Sequence, residues 1–165
     1  MAEDKIKIID NFLPENIFKD IQSIMMGPYM PWYYQKKAIA KSNIEEDFIF
    51  THVFYGEGNQ PSELFERITH PILGRLNFNY LLRARGRLMT KKHKHIPQPF
   101  HQDLTTKHTV ALFSINTNNG HTLFEDGTKH FSKENTLLLF NGELKHATVP
   151  QTDTSVRINI NFNFE

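Results

Sequence analysis

The stretch PFHQDLTTKH, residues 99–108, sets a histidine two positions before an aspartate. On extended backbone, residues i and i+2 point to the same side. His101 and Asp103 can then aim one imidazole and one carboxylate at a single ion. A second imidazole would complete the two-nitrogen, one-oxygen face of a non-haem Fe(II) centre, leaving three positions for other ligands. With nine His and seven Asp in 165 residues, about 0.4 such pairs arise by chance, so the pair alone identifies nothing. It needs a distant partner, and His146 in LFNGELKHATVP supplies one, just after an Asn-Gly turn.

Eleven residues beyond His146, Arg157 enters the alternating run VRININFNF. In a strand, Arg157, Asn159, Asn161 and Asn163 share one face, and Val156, Ile158, Ile160, Phe162 and Phe164 the other. The apolar face is expected to pack on N-terminal helices, and the Arg/Asn face to line an interior. A buried guanidinium is costly unless an anion meets it, and a dicarboxylate cosubstrate would meet it with a bidentate fork. Taken singly, His146 reads more simply as a satisfied core histidine, and Arg157 as partner to a protein carboxylate. The four residues in this order, on segments read independently as strands, favour one site.

The elements that must position them follow from periodicity. KIKIID (5–10) alternates as a short strand. LPENIFKDIQSIMMG reads as a helix between Pro14 and Gly27, with Ile17, Phe18, Ile21, Ile24 and Met25 as its apolar stripe. PYMPWYYQ (28–35) reads as a packed irregular segment, and DFIFTHVFYG (47–56) as a strand. PSELFERITHPILGRL (61–76) reads as a second helix that Pro71 must kink or end. Strand and turn then dominate: 80–90, 108–115, 121–125 and 128–131 about Asp126-Gly127, 135–140, 144–150 and 155–164. Two helices followed by about eight strands predict an α+β, mainly β fold, a sandwich or jelly roll with the helices on one sheet.

Length favours one domain, with 1–76 as helical and strand support and 77–165 as the jelly-roll core. Nineteen Lys+Arg against 18 Asp+Glu give no bulk signal for nucleic acid. Cysteine is absent, which excludes disulfides, thiolate metal sites and a Cys nucleophile. MAEDKIKIID lacks the apolar run of a signal peptide. No stretch reaches the roughly 20 apolar residues of a membrane span. A soluble, cytoplasmic protein is expected, with no membrane partner.

HxD, a distant His and a basic residue about ten positions on together resemble the 2-oxoglutarate/Fe(II)-dependent dioxygenase superfamily. The small prolyl 4-hydroxylase-like members of bacteria and phages are the nearest branch. IIDNFLPENIFKDI is similar to their opening strand and helix, NNGHTLFEDG to their Gly-rich turn, and LLLFNGELKHATVP and RININFNF to their distal-His and Arg strands. The resemblance implies a double-stranded β-helix, with Fe(II) on His101, Asp103 and His146. It implies 2-oxoglutarate and O2 as cosubstrates, and Arg157 on the distal carboxylate. Asn159 stands where many relatives have Ser or Thr. Relatives often carry a Tyr shortly before HxD; here that stretch reads KHKHIPQPF, without one, and Arg85 and Arg87, alternating with Met89 on the preceding strand, are the substitutes; solvent-facing arginines are the alternative. The implied reaction hydroxylates a C–H bond while 2-oxoglutarate is decarboxylated to succinate. A peptidyl proline is the first candidate, before a free amino acid, a small metabolite or a nucleobase. A phage-encoded chain would act in the host cytoplasm.

Three rivals stand beside this: a cupin-like isomerase or sugar-binding protein, a non-catalytic jelly-roll binding module, and a zinc hydrolase. His93 and His95 read as an incidental surface pair. His108, His121 and His130 read as surface or structural residues, although His108 could face the cavity. Loop 91–98 is expected to border the site as a lid. Its Lys91, Lys92 and Lys94, with Arg83, Arg85 and Arg87, form a basic rim for an acidic partner, or simply for solubility. Aromatic substrate walls are the alternative role for PYMPWYYQ.

Overall fold

The computed structural model describes residues 6–39, 42–44 and 47–165; Lys5 of the first expected strand lies outside them. In chain order the elements are β1 (Lys7–Ile9), α1 (Glu15–Met25), β2 (Tyr33–Gln35) and β3 (Ile49–Tyr55). A π-helical turn, Phe65–Thr69, runs into α2 (His70–Leu73). Then come β4 (Leu81–Thr90), β5 (Thr109–Ser114), β6 (His121–Phe124), β7 (Lys129–Phe131), β8 (Thr136–Asn141), β9 (His146–Val149) and β10 (Val156–Phe164). Seven strands form one antiparallel sheet in the order β1-β8-β5-β10-β4-β3-β2, and three form a smaller one, β7-β6-β9. This is a jelly roll with a major and a minor sheet.

The period-2 alternation of the central strands sorts their side chains between two interiors. On one side of the major sheet Ile158, Ile160, Phe162, Phe113 and Leu137 join Phe18, Ile21 and Met25 of α1 in the main core. Burying each such side chain contributes about 1.5–3 kcal/mol. Of the expected helical stripe, Ile24 is half-buried and Ile17 is exposed, so the stripe is narrower than its composition suggests. On the other side Val110, Leu138, Phe140 and Phe124 form a second, smaller core, beside which the polar face of β10 runs. Asn135 locks the chain before α1 onto β8: its side chain accepts from Leu13 N at 2.9 Å and donates to Leu13 O at 2.8 Å.

Three expectations are corrected. Residues 61–76 are helical only over 65–73, where the π-helical turn passes directly into α2 with Pro71 inside it. Pro71 lacks the N–H that would close the preceding turn, and the backbone widens there into the π-helical turn, where Thr69 Oγ1 donates to Phe65 O at 2.6 Å. PYMPWYYQ is not packed: only Met30 is buried and Trp32 half-buried, while Tyr29, Tyr33 and Tyr34 are exposed, and β2 is an edge strand. Residues 99–107 are loop rather than strand; His101 makes only an isolated antiparallel bridge to His146. No helix among the described residues is long and apolar enough to cross a membrane.

Candidate metal centre

His146 begins β9, and the backbone pairs it with His101. His101 N donates to His146 O and His146 N to His101 O, both at 3.0 Å. That reciprocal bridge, rather than a shared strand, sets the two imidazoles side by side, with ring centroids 4.7 Å apart. Asp103 reaches the same point from the loop: its Oδ1 lies 3.6 Å from His101 Nε2 and 3.8 Å from His146 Nε2. One ligand atom from each residue falls within 4.8 Å of the others.

The supporting hydrogen bonds decide which atoms face inward. His101 Nδ1 lies 3.2 Å from Pro99 O, and His146 Nδ1 3.1 Å from Leu144 O. A carbonyl only accepts, so each Nδ1 carries a proton, and Nε2 is the atom each ring offers to an ion. Burial, opposed by Asp103, pushes the His146 imidazole down. Burial works to raise the Asp103 carboxyl, but His101, His146, Asn161 and Asn163 outweigh it and hold it well below the usual range. Two imidazole nitrogens and an anionic oxygen form a donor set suited to Fe(II), Zn(II) or a related divalent ion.

Asp103 Oδ2 accepts from Asn161 Nδ2 at 2.9 Å and from Asn163 Nδ2 at 3.0 Å. The alternation of β10 signals that these asparagines share the Arg157 face. It carries no signal that the loop carboxylate, some sixty residues earlier, lies across from them. They fix which oxygen faces the histidines. Replacing either with Ala is expected to weaken divalent-metal affinity 10–100-fold, read by competition against a chromophoric chelator.

Behind the triad, Arg157 and Arg87 line one narrow crevice with Asn159, Thr122, Thr148 and His146. Both guanidiniums are buried, and among the described residues the Nε of each lacks a hydrogen-bond partner, as does Asn159 Oδ1. Arg157 Nη1 donates to Val149 O at 2.9 Å and His121 O at 3.2 Å, tying the major sheet to the minor. A Cβ on Gly120 would lie 2.9 Å from Arg157 Cδ, so only glycine lets that side chain through. Among the described residues no carboxylate bears on Arg157. Burial, then its neighbour Arg87, pushes it down to about 9. Arg87 is pushed down to about 10, by burial first, against an opposing pull from Asp103. Arg157, which no described carboxylate meets, and Arg87, which Asp103 and Asp47 offset only in part, form the cradle a distal carboxylate would fill.

Of the two arginines offered in place of a tyrosine, the structure brings Arg87 against Arg157 and Asn159. Arg85 lies instead in an outer cleft of about 520 Å³, lined also by Arg83, Arg87, His101, Asp103 and Asn161. Arg87 and Asn161 line both hollows. The basic rim is divided: the arginines face this cleft, whereas Lys92 and Lys94 line a separate hollow with Phe48 and Ile96. Loop 91–98 supplies nothing to the lining of the metal cleft, and Gln98 pins it by donating to Asp47 Oδ1 at 2.5 Å. His108 does not face the cleft; its ring packs against Gly142. His121 and His130 are buried, and His93 and His95 exposed.

Burial pushes His52, His121, His130 and His146 below the ordinary 6.5. The unfolded chain therefore takes up protons first as pH falls. The stability of the metal-free protein is full above about pH 6.5 and drops below it. A urea midpoint about 0.5 M lower at pH 5 than at pH 7.5 is expected.

No family model matches the chain, and no curated protein matches it. Solved structures do. A prolyl hydroxylase from Trichoplax adhaerens, in complex with a hypoxia inducible factor oxygen degradation domain peptide fragment, has a TM-score of 0.72 at 14% identity, over 98% of this chain and 84% of that one. A 2OG-Fe(II) oxygenase family oxidoreductase from Burkholderia pseudomallei has a TM-score of 0.69 at 10% identity, over 99% and 86%. A Pseudomonas putida prolyl-4-hydroxylase has a TM-score of 0.63 at 14% identity, over 99% and 94%. The chain has the jelly-roll fold that these oxygenases share.

Proposed function

We propose that this protein is an Fe(II)/2-oxoglutarate-dependent oxygenase that hydroxylates a C–H bond, with a peptidyl proline as the first substrate class. The observation that carries the reading is one continuous arrangement: two inward Nε2 atoms and a carboxylate in an open cleft, backed by two buried guanidiniums, of which Arg157 meets no carboxylate among the described residues. His101, Asp103 and His146 would hold the iron. Arg157, with Arg87 and Asn159, would hold the distal carboxylate of 2-oxoglutarate, and Arg85 would not. Iron, O2 and 2-oxoglutarate together supply an oxidative decarboxylation that yields succinate, CO2 and an oxidant for a C–H bond.

This chain's own residues have narrower tasks. The backbone carbonyls of Pro99 and Leu144 keep the imidazoles in the ligating tautomer. Asn161 and Asn163 hold one oxygen of Asp103 so that the other faces the histidines. The apolar wall of Val110, Leu112 and Phe140 excludes water from the crevice, which strengthens any contact between Arg157 and a carboxylate. The proline assignment is supported by the prolyl hydroxylases among the structures of like fold.

Anaerobic titration of the metal-free protein with Fe(II) and then 2-oxoglutarate tests the reading. A weak visible metal-to-ligand band is expected only when both are present. A cupin-like isomerase, a binding module or a zinc hydrolase gives no such band, and its absence would retire the oxygenase assignment.

A further inference from the structure

The outer wall of the cleft is more cationic than iron and 2-oxoglutarate require. Arg83, Arg85 and Arg87 alternate on β4 and all three line the cleft. Arg87 also reaches the inner crevice. Arg83 and Arg85 remain, with side chains 15% and 25% exposed. Arg83 Nε donates to Asn163 Oδ1 at 3.0 Å, and its Nη2 lies 3.9 Å from Asp103 Oδ1. Once Asp103 serves a divalent ion, that contact no longer offsets the charge of Arg83. Arg85 Nε is buried and has no hydrogen-bond partner among the described residues.

One carboxylate answers both guanidiniums. Glu57 Oε1 accepts from Arg85 Nη2 and lies 3.7 Å from Arg83 Nη1. It does not come from the cleft lining. It sits at the tip of a turn after β3 in which Gly56, Glu57 and Gly58 have φ of 96°, 58° and 74°. Three successive residues in the left-handed region, one of them a glutamate, make a backbone that L side chains seldom adopt. The turn is exposed, so its carboxylate can leave the arginines without opening the core.

We infer that the prime substrate carries a carboxylate that docks on Arg83 and Arg85, and that Glu57 occupies this fork until the substrate displaces it. The inference rests on the oxygenase reading for the identity of the substrate, and on the fork alone for the carboxylate. It narrows the substrate class: a proline with an acidic neighbour, or a free acid, in preference to a neutral peptide. A carboxylate suits the fork: a single oxygen of Glu57 already lies between both guanidiniums.

Acetate is the minimal probe, titrated against chloride at constant ionic strength into Zn(II)-loaded protein saturated with 2-oxoglutarate, and followed by the Nε–H resonances of Arg83 and Arg85. A saturable shift of the Arg85 signal is expected. Glu57→Gln should lower the acetate midpoint at least fivefold, because the competing carboxylate is gone, and Arg85→Met should abolish the response. An unchanged midpoint in Glu57→Gln, or a shift that chloride reproduces, would overturn the inference; a purely structural ion pair predicts that outcome. Far-ultraviolet circular dichroism confirms folding of each variant, with Arg85→Lys as the conservative control.

The source of the carboxylate is read from 2-oxoglutarate consumption by the Fe(II) protein, with proline peptides bearing Asp or Asn beside the proline, and with free aspartate or asparagine. Stimulation at least tenfold greater for the acidic member is expected, and the responding set names the source. Equal stimulation by the neutral member overturns the inference, and if neither set stimulates, the acetate midpoints decide. The two readings fail separately. A visible iron band without an acetate response removes only the fork; an acetate response without the band removes the oxygenase and leaves an anion site.

Discussion

Asp103→Ala is expected to eliminate both the Fe(II)- and 2-oxoglutarate-dependent visible band and any 2-oxoglutarate consumption. Of the three converging side chains, Asp103 alone brings a negative charge, and it is held ionised by its neighbours. Without it, two neutral imidazoles face a dication in a nearly buried site. Removing one partner of a buried charge pair costs about 3–5 kcal/mol, at least a hundredfold in metal affinity. Asp103→Glu should be damaging too, because the added methylene moves the oxygen away from the point that Asn161 and Asn163 define. The metal-free protein should also lose stability, by about 1–3 kcal/mol, since both asparagine amides lose their acceptor. Chelator competition reads the first effect and urea unfolding the second. Tight Fe(II) binding by Asp103→Ala, or by His101→Ala or His146→Ala, would contradict the assignment.

Arg157→Met should act in opposite directions on the two forms of the protein. In the absence of cosubstrate, Arg157 is a fully buried cation whose donors meet only carbonyl oxygens and whose nearest charged neighbour is another arginine. A methionine fills similar volume and removes the desolvated charge. It forfeits the bonds to His121 O and Val149 O, which offsets part of the gain. The net expectation is a metal-free protein more stable by about 1 kcal/mol. With Fe(II) and 2-oxoglutarate the order reverses. Losing one partner of a buried, hydrogen-bonded charge pair costs about 2–5 kcal/mol, a rise of thirtyfold or more in the 2-oxoglutarate midpoint. The stabilisation that saturating 2-oxoglutarate confers, about 2.7 kcal/mol at a hundredfold excess over Kd, should largely vanish. Denaturation midpoints with and without 2-oxoglutarate test both halves. A lower midpoint for the metal-free variant would mean that the carbonyl bonds outweigh the desolvated charge.

What could be seen in the linear chain was whatever depends on period. VRININFNF announces a strand with two unlike faces, and the molecule places those faces in two different interiors. The strands from 80 onward fall within a residue or two of their expected bounds for the same reason, since alternation and Asn-Gly or Asp-Gly turns are local. His101, Asp103 and His146 emerged because a ligand pattern constrains residues across distance. Contacts without a pattern stayed hidden. Nothing in FNF or HQD says that Asn163 meets Asp103. Nothing distinguishes Arg85 from Arg87, which share a face of β4; only the crossing of the two sheets decides which reaches the crevice. Four aromatics in PYMPWYYQ suggested burial, but composition carries no information about whether a strand sits at a sheet edge. The lysines of 91–94 and the arginines of β4 looked like one patch because they are close in sequence, yet the chain turns between them.

The paired backbone bonds between residues 101 and 146 tie occupancy to architecture. The same two residues that would grip an ion also close the neck of the long excursion from Gln102 to Lys145, which contains β5 to β8. A bound ion would act as a rivet across that neck, and chelation would leave it to the two amide bonds, the Gln98–Thr148 contact and the Gln102–Glu143 bond. Exchange of the His101 and His146 amide protons should therefore quicken on chelation while those of β10 stay slow, giving a readout of the rivet that needs neither substrate nor turnover.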